Sequence, residues 1–192
     1  MQAAILANIA RHIMLTPAEQ TVFISFLLPA QVPRFAYVLR AGEPSRYLTF
    51  VGRGCVRMFA TDALGREAVL SFAWEGWWCG GAASTVPGGP ATVSIQALET
   101  TDVWHLGFAQ LEQLCQQVPA FEHFFRVLFR QGFLHEQRRL QALLQESAPE
   151  RYARFCRRYP RLSQRVALKY IASYLGMTPE FLSALRKKDS PS

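Results

Sequence analysis

Thr178-Pro179-Glu180-Phe181-Leu182-Ser183 places two hydroxyls and a carboxylate close together, and Arg186-Lys187-Lys188 follows at once. A carboxylate accepts a hydrogen bond from the amino group of cytosine, and Ser or Thr contacts several base edges. The cations that follow suit phosphate oxygens. Such groups read a duplex only if a helix presents them. Thr178 is a predicted N-cap, with Pro179 at the first helical position. Upstream, Ala172 is small where a second helix must pass close, and Gly176 tolerates the positive φ of a tight turn. Ile171, Leu175, Met177, Leu182 and Leu185 supply an apolar wedge. This is helix-turn-helix spacing. The set expected at DNA is Lys169, Thr178, Glu180, Ser183, Arg186, Lys187 and Lys188.

A ligand-free helical hairpin is the competing reading, and charge decides against it. The 192 residues carry a formal +7. Residues 1–120 hold seven basic and eight acidic side chains, and residues 121–147 hold four and three. Residues 148–192 hold ten and three, so the excess lies there. A near-neutral body with a basic C-terminal part fits a polyanionic partner. Arg154, Arg157, Arg158 and Arg161 add cations for the DNA backbone.

Half the residues are hydrophobic, which excludes a disordered chain. The chain has no apolar run of about 18 residues and no secretory signal pattern, so no membrane partner and a cytoplasmic location are expected. Cys55, Cys79, Cys115 and Cys156 form no C-x-x-C pair, and His12, His105, His123 and His135 are scattered. No metal site and no disulfide framework are expected. A cupin-type enzyme would need His and carboxylates clustered on strands, whereas His105 is the only strand histidine, so no enzyme is expected.

Three stretches must position these groups. Ile5, Ile9, Ile13 and Met14 recur at helical intervals, and Thr16-Pro17-Ala18-Glu19 opens a second helix running through Phe26 and Leu27 to Pro29. Short β-rich runs follow at 35–39, 47–51, 56–60, 68–72, 92–97 and 101–106, separated by Gly/Pro turns. After Leu106 the pattern is helical: 108–117, then a long segment from Ala120 to about Ser147, then a helix over 151–159 ending before Pro160. The long segment carries Phe121, Phe124, Phe125, Leu128, Phe129, Phe133, Leu140, Leu143 and Leu144. That is too much apolar surface for one lightly covered face; it fits packing on the β part, pairing with a second copy, or both. Gly132 within it suggests a close approach or a kink.

Taken in order, these blocks resemble the Crp/Fnr superfamily of bacterial transcription factors. The likeness rests on Leu39-Arg-Ala-Gly42-Glu43, Tyr47-Leu-Thr-Phe-Val-Gly-Arg-Gly54-Cys-Val-Arg57, Asp62-Ala-Leu-Gly65-Arg-Glu67, and Phe72-Ala-Trp-Glu-Gly-Trp-Trp-Cys-Gly80. It implies an α+β chain in three parts. Residues 1–119 would form a cyclic-nucleotide-binding-like double-stranded β-helix or jelly roll. Residues 120–147 would form a connecting and dimerisation helix, and 148–192 a helix-turn-helix domain with no room for a β-hairpin wing before Ser192. It also implies a homodimer, double-stranded DNA as partner, and RNA polymerase as a further one.

The departures are specific. In nucleotide-binding members a Glu meets the ribose hydroxyl and an Arg the cyclic phosphate. The matching positions here are Gly81 and Ala91, in a ligand pocket drawn from Gly80, Gly81, Ala82, Ala91 and Thr92. Binding of cyclic nucleotide in that mode is therefore not expected, and no cofactor is assigned. No cysteine precedes Cys55, so the N-terminal iron–sulfur cluster of some members is absent. On the reading helix Glu180 matches the family, but Pro179 and Ala184 stand at frequent arginine positions. The rival to a DNA-binding regulator is a degenerate sensor or interaction module. Trp74, Trp77 and Trp78 are expected to fill core rather than line a pocket.

Overall fold

A computed structural model describes residues 2–80 and 89–189, with side chains to Lys187. The elements in order are α1 (Gln2–Ile9), α2 (Pro17–Ser25), β1 (Leu27–Val32), β2 (Tyr37–Leu39), β3 (Tyr47–Arg53), β4 (Cys55–Thr61), β5 (Glu67–Trp74), β6 (Trp78–Cys79), β7 (Ser94–Ala97), β8 (Thr101–Gly107), α3 (Phe108–Gln117), α4 (Ala120–Gln145), α5 (Ala148–Arg158), α6 (Pro160–Arg165), α7 (Leu168–Tyr174) and α8 (Pro179–Asp189). The chain divides into two compact units, Met1–Ala60 with Ser71–Arg130, and Thr61–Leu70 with Gln131–Ser192.

In the first unit, the sheet β1–β8–β3–β6 has a different neighbour on each face. Leu48 and Phe50 of β3 pair in register with Leu106 and Trp104 of β8. With a period of two, these four share one face. They are buried with Ile5, Ile9, Phe23, Leu114, Phe121 and Phe124 from the helices. Val51 and Val103 point the other way and pack with Val56, Ile95 and Ala97 of the second sheet, which runs β2–β7–β4–β5. The pairings β1–β8, β3–β8, β3–β6, β2–β7 and β4–β7 are antiparallel.

Phe121 anchors the helical layer. It is fully buried and stacks on Phe23 at 5.0 Å between ring centroids. Trp78 closes the same cluster, 5.2 Å from Phe50 and 6.0 Å from Phe124. Asn8 fixes it: Trp78 Nε1 donates to Asn8 Oδ1 at 3.1 Å, and Asn8 Nδ2 donates to the Gly76 carbonyl at 2.9 Å. Trp74 and Trp77 pair at 4.2 Å.

The structure differs from what the sequence suggests at four points. The second helix stops at Ser25 instead of reaching Pro29, and Leu27–Val32 is a strand. Pro29 is tolerated because β1 is an edge strand, where a missing N–H breaks no second ladder. The run from Phe72 to Gly80 is broken by Gly76 at φ 84°, which separates β5 from β6. Pro160 starts α6 as well as ending α5, as a first-turn proline can. Gly132 has nothing within 4 Å of where a Cβ would stand, so it marks no close approach.

Replacing Phe121 with Ala should lower unfolding free energy by about 3–5 kcal/mol, read by urea denaturation of the intact chain.

Candidate nucleic-acid interface

The second unit builds its α7–α8 hairpin from a helix too short to satisfy itself. Seven residues long, α7 leaves its last carbonyls without intrahelical partners. Gly176, at φ 66°, turns the chain so that Met177 N–H bonds Ala172 O at 3.0 Å and Gly176 N–H bonds Ser173 O at 3.1 Å. This pair of bonds is a Schellman closure. Two arginines take the remaining carbonyls. Arg139 Nη2 donates to Tyr174 O at 3.0 Å, and Arg151 Nε donates to Leu175 O at 2.8 Å. A Cβ on Gly176 would lie 3.0 Å from Leu143 Cδ2, so the turn is seated tightly on α4.

The tip of the β4–β5 hairpin belongs to this unit and meets α7. Ser173 Oγ accepts from Val69 N at 2.9 Å and donates to Glu67 O at 3.4 Å. Arg139 Nη2 also reaches Val69 O at 3.2 Å. These contacts occupy polar groups of an edge strand that would otherwise be open to pairing.

Helix α8 is held from within by Leu182, fully buried. At its start Thr178 Oγ1 accepts from Phe181 N at 3.2 Å. The Thr178 hydroxyl thus serves as a cap, with its proton and one lone pair left for a ligand. Glu180, Ser183, Ala184 and Lys187 fall within about 100° of arc on the side away from Leu182. Glu180, Ala184 and Lys187 are exposed and Ser183 is half-buried. Arg186 is exposed outside that arc. Lys169 is exposed on α7 with Nζ 4.9 Å from the Tyr170 ring centre. The Lys188 side chain lies outside the described residues.

Phe181, 47% exposed, stands beside Glu180 and was passed over in the sequence. An exposed aromatic on the polar side of a short helix was the available signal. Of the arginines expected at the backbone, Arg157, Arg158 and Arg161 are exposed. Arg154 is instead paired with Glu146 at 3.0 Å.

On α4, Phe129, Phe133, Leu140 and Leu144 are 46%, 68%, 57% and 77% exposed. They lie within about 60° of arc. Phe121, Phe124 and Phe125 of the same helix are buried in the first unit. Packing on the β part therefore accounts for Phe121, Phe124 and Phe125, while the other four stay exposed.

In the first unit, Ala91 is buried and backbone-paired: its N–H bonds Glu43 O at 2.8 Å and its O accepts from Gly42 N at 2.8 Å. Thr92 is exposed, and a Cβ on Gly80 would meet Tyr47 O at 2.9 Å. Gly81 and Ala82 lie outside the described residues. The sequence reading missed a buried cation, Arg57. Its Nε and Nη2 both donate to Gln96 Oε1, at 3.0 and 2.7 Å, with the guanidinium 4.0 Å from the Phe59 ring centre. It lies opposite Gln96 across β4 and β7, on the face away from Val56 and Ile95. Cys79 is buried enough that its thiol pKa is pushed up to about 12, so it is no thiolate. His105 is held by Thr49 Oγ1 at 2.9 Å.

A cyclic nucleotide-binding domain sequence model matches residues 29–118. The transcriptional activator protein Anr of Pseudomonas aeruginosa is 27% identical over an alignment covering 77% of this chain and 64% of that protein. The chain is thus similar to Crp/Fnr-type regulators in its β domain and over most of its length. Among solved folds, FixK2 from Bradyrhizobium japonicum superposes with a TM-score of 0.74 at 20% identity, covering 84% of this chain and 83% of that one. The c-di-GMP-responsive global regulator CLP of Xanthomonas campestris gives 0.74 at 19%, covering 90% and 91%. Among its described residues the chain has no helix long and apolar enough to cross a membrane.

Two outcomes follow for the second unit. Gly176→Ala forces an alanine into left-handed backbone and should cost about 1–2 kcal/mol, read as a lowered midpoint in thermal unfolding. Burial, then Arg158, Arg139 and Arg138, hold the His135 pKa below the ordinary imidazole value. Between that lowered pKa and about 6.5 the unfolded chain binds more protons, so stability rises with pH there and is lost as pH falls. Because His105 is also lowered by burial, the test is a difference. Urea unfolding between pH 7.5 and 5.5 should show a shallower loss for His135→Gln than for the parent chain.

Proposed function

We propose that this chain is a homodimeric DNA-binding transcriptional regulator in which α8 enters the major groove. The observation that carries it is the exposed face of α8, where Glu180, Ser183 and Lys187 point away from the buried Leu182 on a helix capped at its start. Glu180 accepts from a cytosine amino group and Ser183 contacts a neighbouring base. Phe181 offers an apolar surface to a thymine methyl. Lys187, Lys188, Arg186 and Lys169 meet phosphates, joined by Arg157 and Arg161 from the preceding helices. The relatives support the reading, since Anr is named a transcriptional activator and CLP a global regulator; neither is an enzyme by name.

The exposed stripe of Phe129, Phe133, Leu140 and Leu144 supports α4 as the dimer seam. A second copy of α4 covers it, and two reading helices then address half-sites about 34 Å apart. In this reading residues 1–119 are a jelly-roll sensor, 120–147 the dimer helix and 148–192 a DNA-binding domain. With Gly81 and Ala91 where a carboxylate and a cation are needed, the sensor does not take cyclic nucleotide in the family's usual way.

Fluorescence anisotropy with labelled genomic duplexes tests the reading. The chain should bind, and affinity should fall steeply between low and moderate salt. Lys187→Ala should weaken all duplexes alike and reduce the log–log salt slope by about 1, whereas Glu180→Ala should relax base preference at one position of each half-site. No binding at low salt would favour the interaction module. By sedimentation velocity the parent should be a dimer and the Phe133→Glu, Leu140→Glu double variant a monomer.

A further inference from the structure

Arginine density in the second unit peaks away from α8, in a recess of about 210 Å³ between α4, α5 and the end of α7. Five guanidiniums line it, from Arg138, Arg139, Arg151, Arg154 and Arg158, and Glu146 is the one carboxylate that does. Glu146 is engaged by Arg154 at 3.0 Å. Arg139 and Arg151 are tied to backbone carbonyls. Arg138 and Arg158 are exposed, and Arg158 sits 5.5 Å from the Tyr159 ring centre. The local charge stays positive after pairing with Glu146 and with Glu136, whose Oε2 lies 3.9 Å from Arg139 Nη1.

The polar groups of the recess suit an anion. Arg139 Nε is buried with no acceptor among the described residues, and a buried donor left unpaired is costly. The Tyr159 and Tyr174 hydroxyls stand 3.5 Å from the two ring nitrogens of His135. His135 is surrounded by Glu136, Arg138 and Arg139 from α4, Arg154, Arg158 and Tyr159 from α5, and Tyr174 from α7. Burial first, and then the cations that dominate that set, hold its proton weakly.

We propose that this recess is a binding site for a small oxyanion of two or more charges, held by Arg138, Arg139 and Arg158 with the Tyr159 hydroxyl and His135. Phosphoryl and polycarboxylate groups share the required chemistry, because a guanidinium presents paired N–H donors to two oxygens. The volume is below the roughly 300–1,000 Å³ of drug-sized pockets, so the ligand is a compact metabolite and not a nucleotide. DNA is the other source of phosphate. A recessed site floored by tyrosines and a neutral histidine fits it less well than the exposed cations of α8 do. The site is independent of the DNA-binding reading, because its occupancy is measured without DNA.

Isothermal titration of the intact chain with pyrophosphate, and separately with citrate, at ionic strength matched by sodium chloride, tests the site. Saturable binding of one anion per chain is expected, and which probe binds tighter separates phosphoryl from carboxylate chemistry. Arg138→Gln with Arg158→Gln should weaken binding by about tenfold or more. In the parent chain, proton NMR should show the His135 pKa rising on addition of the anion, a readout that needs no variant. Heat no greater than the salt control, an unmoved His135 titration, or undiminished binding by a folded double variant would overturn the proposal. Displacement of bound pyrophosphate by an equimolar short duplex would assign these guanidiniums to the DNA footprint and overturn it too.

Discussion

The turn between α7 and α8 depends on carbonyls that a short helix cannot satisfy. In α7 most C=O groups lie within the last turn, where no following N–H exists inside the helix. Gly176 supplies two backbone bonds by turning left-handed, and Arg139 and Arg151 supply the next ones from α4 and α5. A cation at a helix C-terminus is also favoured by the aligned peptide dipoles. The start of α8 is thereby set by three separate segments meeting on one turn.

This changes what the positive charge means. The surplus of the last 45 residues reads from sequence as a uniform DNA-facing surface. In the structure Arg151 is a backbone clamp and Arg154 an ion-pair partner of Glu146, while Arg157, Arg161, Lys169, Arg186 and Lys187 are exposed. Part of the charge builds the α7–α8 turn, and part is left for a polyanion. Arg139, outside the basic tail, belongs to the first group.

Legibility in the sequence followed the range of each interaction. The Thr16–Glu19 capping box, the Ser147–Glu150 pair at the start of α5 and the Gly176 turn are local, and their residue types announce them. The strands at 47–53, 55–61 and 101–107 were legible because two buried faces demand near-continuous apolar runs. Strand β1 was not, because its burial alternates weakly and Pro29 imitates a helix stop. Nor were the Arg57–Gln96 pair, 39 residues apart, or the Ser173–Val69 bond, 104 apart. No period in the chain encodes such partners. The candidate bases-and-phosphates set was legible in type, whereas the capping use of Thr178 and the exposure of Phe181 needed coordinates.

The most direct check of the central claim is amide hydrogen exchange of the intact chain with and without a bound genomic duplex, resolved to short peptides. The account predicts that slowed exchange on DNA addition concentrates in 168–188, with the turn at 175–178 and the first turn of α8 most affected. Protection confined to the first unit, or none in 168–188 at a salt concentration where the duplex is bound, would contradict it.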